Sequence, residues 1–271
     1  MPLPLFISTC QKLAFSGLLL LSGYPGFGLD TTEPVNNDPK AASTNSVERS
    51  SIKGIDVSRW QKEVDWSLVR ETDVAFAFIK ASQGEFRIDP YFARNWEETK
   101  RHGIKRGAYH YFKPEAPALC QVELFKSIVT LEPGDLPPVL DVEVVEPGMK
   151  GEELRRNIKV WLEEITAHYG VKPIIYTSQN YYRRWLQGHF QEYHFWIARY
   201  SDNKPELHQA DSWMFWQHTD RGRVTGINAA VDMNFFMGDL ETLNQLCLPE
   251  IVAQKEQVSP LSQLKHMYPL P

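Results

Sequence analysis

The chain has 271 residues, of which 42% are hydrophobic and 23% are charged, as in a soluble globular protein with a sizeable core. Its 34 acidic residues outnumber its 29 basic residues, which gives a formal net charge of −5. This balance disfavours a general nucleic-acid binder and a protein that binds anionic membrane surfaces.

The N-terminal segment is typical of an export signal. Lys12 precedes an apolar stretch, Leu13–Ser22, that is shorter than the roughly 20 residues of a membrane-spanning helix. Residues 1–28 are therefore expected to be a signal peptide, with an uncleaved N-terminal anchor as the alternative. We expect the processed protein to be exported, to the periplasm or the medium, without a stable membrane span.

Two further segments lack the pattern of a folded domain. Residues 29–51 are rich in Thr, Asn, Ser and Pro, which predicts a disordered linker. Residues 247–271 contain four prolines and no clear period, which indicates a loose tail. The globular domain is therefore predicted over 52–246. After signal cleavage two cysteines remain, Cys120 and Cys247, and two unpaired buried thiols are favoured over a disulfide.

Eight short runs in this domain have the composition of buried strands, because they are β-branched or aromatic and bounded by Gly, Pro, Asp or Asn. The predicted strands are Gly54–Val57, Val74–Lys80, Gly107–Phe112, Pro138–Val142, Pro173–Thr177, Phe195–Tyr200, Trp213–His218 and Val231–Phe236. Two stretches between them, Asp89–Gly103 and Gly151–Tyr169, place apolar residues at helical spacing and end at a glycine.

The alternation of strands and helices predicts an α/β fold with parallel strands buried on both faces. Eight such strands in about 190 residues indicate a closed barrel. The spacing shortens after Tyr200, so strands and loops are expected to close the last quarter. An open doubly wound sheet is the alternative, although no Gly-x-Gly-x-x-Gly motif follows the first strand.

Four acidic residues are expected at one end of this barrel, because functional groups of α/β barrels lie at the carboxyl ends of the strands. Asp56 follows the first strand, Asp141 and Glu143 lie at the fourth, and Asp232 lies at the eighth. The first and eighth strands are neighbours in a closed barrel, and the fourth faces them. The four carboxylates should therefore converge on one cleft.

Asp141 and Glu143 are two residues apart on a strand, so both side chains are expected on the same face, with Cα atoms about 6.6 Å apart. Two carboxylates this close in a cleft cannot both ionise freely, and one should keep its proton near neutrality. An acid beside an anion is the requirement of glycoside hydrolysis. The alternative is that Asp-x-Glu only caps a strand and binds loop amides.

Other chemistries find less support. Clustered carboxylates also bind metals, but His110 is the only histidine in the early strands, and no His or Cys accompanies the acids at ligand spacing. His110 is expected to be a hydrogen-bonded core histidine, and no metal is expected. No Gly-x-Ser-x-Gly motif indicates a nucleophilic serine.

The order of short motifs in the chain resembles that of glycoside hydrolase family 25, the muramidase lysozymes of bacteria, phages and fungi. The resemblance extends from Gly54 to about Phe236. Its motifs are Gly54–Ser58 with Gln61, Asp65-Trp66, Phe78–Gly84, Gly107–Tyr111, Pro138–Glu143, Pro173–Thr177, Trp196–Tyr200, Trp216-Gln217 and Val231–Asn234.

The resemblance implies a TIM-like barrel of eight strands and about five helices, of the (β/α)5(β)3 type. It implies hydrolysis of the β-1,4 bond between N-acetylmuramic acid and N-acetylglucosamine, without a cofactor. Glu143 would be the general acid/base. Asp141 would either position the substrate acetamide or act as the nucleophile, while Asp56 and Asp232 would hold the acid network and substrate. The residues implied to line the sugar subsites are Tyr109, Tyr176 and Gln217.

Two other functions remain open: a barrel that binds glycan without cutting it, and a chitinase-like glycosidase. A decayed site would be expected to lose acids, whereas all four are present. The Asp-x-x-Asp-x-Asp-x-Glu motif of chitinases is absent, because Leu136 and Val139 occupy positions of its first two acids. The expected partner is the glycan strand of peptidoglycan, bound by a monomer.

Overall fold

A computed structural model describes residues 51–249. The expected signal peptide or anchor at 1–28 lies outside the described residues. Almost all of the expected linker at 29–51 and of the tail at 247–271 does so as well.

The described residues alternate strands and helices along most of their length. In chain order the elements are β1 (Ile52–Val57), α1 (Trp66–Arg70), β2 (Val74–Gln83), β3 (Arg87–Ile88), α2 (Phe92–Arg101), β4 (Lys105–Tyr111), α3 (Ala118–Ile128), β5 (Val139–Asp141), α4 (Gly151–Tyr169), β6 (Ile174–Ser178), α5 (Gln179–Tyr181), β7 (His194–Ala198), β8 (Ser212–Gly222), β9 (Val231–Phe236) and α6 (Leu240–Leu246). A π-helical turn, Tyr182–Leu186, continues α5.

Eight of these strands close into a barrel, as the sequence predicts. The order around it is β1-β2-β4-β5-β6-β7-β8-β9, and β9 returns to pair with β1. All neighbours are parallel except that β9 runs antiparallel to both β8 and β1. The residues between β8 and β9 are too few for the helical crossover that a parallel pair needs, so the chain turns back directly.

The two predicted helices are present as α2 and α4, and α4 has the predicted limits. Its apolar stripe is fully buried, and it ends at Gly170, whose φ of 72° is the left-handed conformation common after helices. The short hairpin strand β3 and four other α-helices within residues 51–249 were not predicted individually. None of the helices in this part of the chain combines the length and apolar character needed to cross a bilayer.

Alternate residues of each strand face two different cores. On β2, Phe76 and Phe78 point into the barrel, where they pack on Trp196 and Phe215, whereas Ala77 and Ile79 face the surrounding helices. A Cβ at Gly54 would lie 2.3 Å from the Phe76 ring. The absence of a side chain at Gly54 therefore makes room for the aromatic interior.

The strand β2 contains a bulge next to the mouth of the barrel. Lys80 pairs with Tyr109 of β4, but Ser82 pairs with the next residue of that strand, His110, so Ala81 is the extra residue. Before the bulge Lys80 follows the inward positions of β2. Beyond it Ser82 points outward, and its hydroxyl lies 2.8 Å from the His110 ring.

His110 is a core histidine, as predicted. Its side chain is fully buried between the sheet and the helices, 3.0 Å from Oε1 of Gln121 and stacked on Trp161. Burial lowers its pKa to about 4, so it is neutral at physiological pH. Neither Cys120 nor Cys247 is in a disulfide; Cys247 is buried as expected, whereas Cys120 is exposed.

Candidate active site

The four acidic residues lie at one mouth of the barrel, although they reach it differently from the prediction. Asp56 is the second-last residue of β1, and Asp141 is the last residue of β5. Glu143 lies two residues beyond that strand, and Asp232 is the second residue of β9. The prediction that Asp232 marks the carboxyl end of its strand is wrong. It reaches the mouth because β9 is antiparallel, which pairs it directly with Asp56.

Asp56 is held by two side-chain amides. Its Oδ2 accepts hydrogen bonds from Nδ2 of Asn234 at 2.8 Å and from Nε2 of Gln217 at 2.9 Å. The other end of the Asn234 amide is fixed, because its Oδ1 accepts from the Trp196 indole N–H at 2.7 Å. Asn234 and Trp196 lie in the family motifs but were not predicted to take part in this network.

Gln217 links this acid to two tyrosines. Its Oε1 accepts hydrogen bonds from the hydroxyls of Tyr176 and Tyr200, each at 2.8 Å. Both ends of the Gln217 amide are thus engaged inside the protein, and the side chain is 2% exposed. This amide orients its neighbours, whereas Tyr200, which is 54% exposed, presents a ring to the mouth.

The pKa of Asp56 lies well above its usual range. Burial is the largest cause, followed by the negative charge of Asp232, while the hydrogen bonds from Asn234 and Gln217 act in the opposite direction. The Asp56–Asp232 pair therefore tends to retain a proton, although Asp56 accepts hydrogen bonds from two amides.

The second pair, Asp141 and Glu143, has fewer internal partners. Asp141 is 4% exposed, and its Oδ1 makes no hydrogen bond within the described part of the chain. Burial raises the pKa of Asp141 well above its usual range, and the charge of Glu143 raises it further, whereas Lys80 lowers it. An unsatisfied buried acceptor is costly, which makes this oxygen a candidate for binding a substrate donor.

Glu143 is open to solvent on the cleft side, while the surrounding protein removes part of its hydration. This desolvation raises the pKa of Glu143, and the hydrogen bond with Asp141 and the charge of Lys80 oppose the rise. Because both pKa values are raised and the two groups share a hydrogen bond, the pair favours a state with one proton between them.

Lys80 is a cation beside this pair that the sequence analysis did not select. Its Nζ donates to Oε1 of Gln83 at 3.1 Å and lies 4.7 Å from the centre of the Tyr111 ring. Burial lowers the pKa of Lys80, and the charges of Asp141 and Asp89 counteract this. Lys80 ends the second predicted strand, so the rule that places functional groups at the carboxyl ends of strands could have identified it.

Tyr109 and Tyr176 lie between the two acid pairs. Both are almost completely buried, and the pKa of each is raised well above its usual range by burial and by the charges of Asp56 and Asp141. Their limited exposure leaves little of either ring to a ligand. The indole of Trp60, in the loop after β1, is more accessible at 68% exposed.

Residues 51–249 contain no group of three or more His, Cys, Asp or Glu side chains arranged to hold a metal ion. The mouth does contain a carboxyl pair whose pKa values are both raised, a nearby cation, and a second acid pair in which Asp56 is held by two amides. This arrangement can donate a proton to a leaving oxygen and stabilise the positive charge that develops on a sugar ring.

Comparison with known proteins yields consistent matches. The sequence profile named Glycosyl hydrolases family 25 matches residues 55–227. The YegX protein of Escherichia coli K12 is 46% identical over 199 residues, which are 71% of this chain and 72% of that protein. Lysozyme M1 of Streptomyces globisporus is 30% identical over 234 residues, 81% of this chain and 79% of that protein. The structure of a family 25 glycosyl hydrolase from Bacillus anthracis has a TM-score of 0.70 at 32% identity, covering 74% of this chain and 95% of that chain.

Proposed function

We propose that this chain, which belongs to glycosyl hydrolase family 25 and is a glycoside hydrolase, acts as a muramidase on peptidoglycan. The bond that it cleaves is the β-1,4 linkage between N-acetylmuramic acid and N-acetylglucosamine. The observation that carries this proposal is the Asp141–Glu143 pair, which favours one shared proton at the mouth of the barrel. The similarity to Lysozyme M1 of Streptomyces globisporus supports the substrate class.

Glu143 is the general acid in this proposal. It is the member of the pair that solvent reaches, so a glycosidic oxygen in the cleft can approach it. Its raised pKa favours the protonated form, and this proton passes to the leaving sugar oxygen as the glycosidic bond breaks. The resulting carboxylate then accepts a proton from the water that completes hydrolysis.

Asp141 assists the bond cleavage from the buried side. Its unpartnered Oδ1 is suited to accept a hydrogen bond from the substrate acetamide N–H. The acetamide oxygen then attacks the anomeric carbon while the leaving oxygen departs, and the Asp141 carboxylate stabilises the positive charge on the acetamide. Water reopens the ring so formed, with retention of configuration. Direct attack by Asp141 is the alternative route.

The remaining predicted site residues support this chemistry. Asp56 and Asp232 hold the acid network at the opposite side of the mouth, and Gln217 fixes Asp56 relative to Tyr176. Tyr109 and Tyr176, on which the charges of both acid pairs act, line the sugar-binding surface in this proposal. The proposed partner is a glycan strand of peptidoglycan, which requires export of the protein from the cytoplasm.

The test is release of soluble muropeptides from purified sacculi by the wild-type protein and by Glu143→Gln. General acid catalysis contributes about 10²–10⁴-fold, so the variant should lose activity by about that factor while keeping its fold. Glu153→Gln on the exposed surface of α4 is the matched control and should retain full activity.

Unchanged cleavage by Glu143→Gln would remove Glu143 from the role of acid. Binding to sacculi without cleavage by the wild-type protein would favour the non-catalytic glycan-binding barrel. Products that lack a muramic acid reducing end would instead favour a chitinase-like bond preference.

A further inference from the structure

We propose that a cationic pocket beside the acid pair, lined by Arg59, Lys80, Gln83 and Arg87, binds a carboxylate carried by the substituent of the muramic acid residue. The inference rests on the proposed muramidase function and names a feature of the substrate that this site selects. Its basis is the local structure of three segments: the loop after β1, the bulged end of β2, and the hairpin strand β3.

The bulge of β2 brings the polar side chains of this pocket together. Residues three apart on a regular strand point to opposite faces, but the extra residue Ala81 places Lys80 and Gln83 side by side, with Nζ and Oε1 3.1 Å apart. Gln83 pairs with Arg87 across the β2–β3 hairpin, and directly opposite residues of an antiparallel pair share one face. The hairpin thus adds a guanidinium beside the lysine.

Asp89 attaches the loop after β1 to this hairpin. Its Oδ2 accepts from the backbone N–H of Arg59 at 2.9 Å, and its Oδ1 accepts from that of Tyr91 at 3.0 Å. Asp89 is the only acid among the lining residues, and both of its oxygens bind backbone amides. Neither Arg59 nor Arg87 forms an ion pair with any residue in the described range. The lining therefore offers three cations against one engaged carboxylate.

The pocket adjoins the reacting groups. Gln83 pairs with Tyr111 of β4, and Tyr111 pairs with Asp141 of β5, so one strand separates the pocket from the acid pair. The charges of Asp141, Asp89 and Glu143 all act on Lys80. A ligand group in the pocket therefore lies next to the sugar whose linkage Glu143 would protonate. The cations can therefore contact the substituent of that sugar, whereas a distant part of the glycan lies out of their reach.

Charge explains which substituent fits. The mouth carries four acidic side chains, which repel an anionic substrate, so an anion can approach only where cations offset them. N-acetylmuramic acid differs from N-acetylglucosamine by a lactyl group, which either ends in a free carboxylate or carries a peptide with carboxylates. The pocket therefore orients the glycan by binding a carboxylate on this side of the N-acetylmuramic acid residue.

The test compares the Arg59→Gln/Arg87→Gln protein with wild type on three soluble glycan fragments. One fragment carries stem peptides with free carboxylates, the second carries the same peptides with the carboxylates amidated, and the third has a free lactyl carboxylate and no peptide. Partly exposed charge contacts contribute up to about 1 kcal/mol, or about fivefold. We expect the substitutions to raise KM about fivefold on an acidic fragment, with kcat unchanged and no effect on the amidated fragment.

The control is Arg70→Gln/Arg101→Gln, which removes the same charge from exposed positions on α1 and α2 and should leave KM unchanged. An increase in KM confined to the fragment with acidic stem peptides identifies the stem peptide as the source of the carboxylate. An increase confined to the third fragment identifies the lactyl group. Either result supports the pocket. An equal change on amidated and acidic fragments, or none on any, overturns it.

Failure of the muramidase proposal is distinguishable from failure of the pocket. If no fragment is cleaved by wild type, the proposed function fails. The dissociation constants of the three fragments, measured in the Glu143→Gln background with and without the two arginine substitutions, then report the pocket alone. The two arginine substitutions should raise the dissociation constant of an acidic fragment about fivefold and leave that of the amidated fragment unchanged. The absence of this difference would contradict the pocket.

Discussion

The two acid pairs at the mouth of the barrel are constructed in opposite ways. Asp56 directs one oxygen to two amide donors, and each amide is itself fixed by an aromatic side chain. Asp141 lies buried with one oxygen unpartnered, next to Glu143 and Lys80. Asp56 of the first pair is positioned by hydrogen bonds within the protein, whereas Asp141 of the second pair retains an unpartnered acceptor.

This difference separates two demands that a glycosidase site must meet. A carboxylate that already accepts strong hydrogen bonds is held rigidly, but it has little capacity left for a substrate. A carboxylate with an unsatisfied oxygen destabilises the fold and gains a partner only when substrate arrives. We therefore propose that bond cleavage depends mainly on the Asp141 side of the mouth and orientation mainly on the Asp56 side.

The largest expected effect comes from exchanging the acids for amides one at a time. Asp141→Asn should lower kcat by about 10²–10³-fold, because the anion that stabilises the acetamide charge is lost. Asp56→Asn should lower it by about tenfold, because both amides donate to the same Asp56 oxygen and an Asn carbonyl can replace it. Steady-state kinetics on soluble glycan fragments would measure both. Equal losses in the two variants would contradict the division of roles.

Disrupting the hydrogen-bond network around Asp56 should lower the stability of the fold as well as the rate of hydrolysis. Gln217→Leu removes the acceptor of two tyrosine hydroxyls and one donor to Asp56, and leaving buried polar groups unsatisfied costs about 1–3 kcal/mol. We expect the free energy of unfolding in urea to fall by about 2–4 kcal/mol. Gln245→Leu on α6, an exposed position of the same residue type, is the control. An unchanged unfolding midpoint would show that the network does not restrain the barrel.

The pH dependence of activity should reflect the charge of Lys80 beside the Asp141–Glu143 pair. This lysine lowers the pKa values of both Asp141 and Glu143, so Lys80→Met should raise them. Activity requires that the pair has lost one of its two protons, so the acidic limb of kcat/KM should move to higher pH, by about one unit. Lys159→Met on α4 is the control. A profile that keeps its acidic limb would show that Lys80 does not act on the pair.

The smallest expected effect is a gain in stability. Because the pKa of Asp141 is raised in the folded protein, the folded state binds its proton more tightly than the unfolded state does. The free energy of unfolding therefore falls as pH rises from the unfolded value through the raised one. Asp141→Asn removes this loss and should raise Tm at pH 7 by about 2–4 °C, but not at pH 3. Calorimetry at both pH values measures the difference, and equal Tm changes would contradict a charge effect.

The sequence predicted the strands and the family well because both depend on local signals. Each buried strand is a short apolar run, and all eight are present; the family resemblance, carried by short motifs in order, is confirmed by the profile match. The carboxylates were selected because they lie at the predicted ends of strands, where α/β barrels carry their functional groups. The direction of β9 was missed, since an apolar run does not indicate which way its strand runs.

The network around the acids was less predictable for a physical reason. Asn234, Trp196 and Tyr200 act through contacts between strands that lie far apart in sequence, and each residue alone is an ordinary strand residue. Lys80 and Gln83 come together only because of a bulge, which a periodic pattern conceals. Composition and spacing can predict that a residue lies at the end of a strand, but they cannot predict which residue across the mouth it contacts.

The antiparallel return of β9 also has a consequence for when the site comes into existence during synthesis. Asp56 emerges from the ribosome early, but the strand that supplies Asp232 and Asn234 is translated some 175 residues later, as the 178-residue separation of Asp56 and Asn234 shows. Until then the barrel lacks its closing strand, and one acid pair has only one member. We therefore expect a nascent or truncated chain that ends before Val231 to be inactive, because its barrel is not closed.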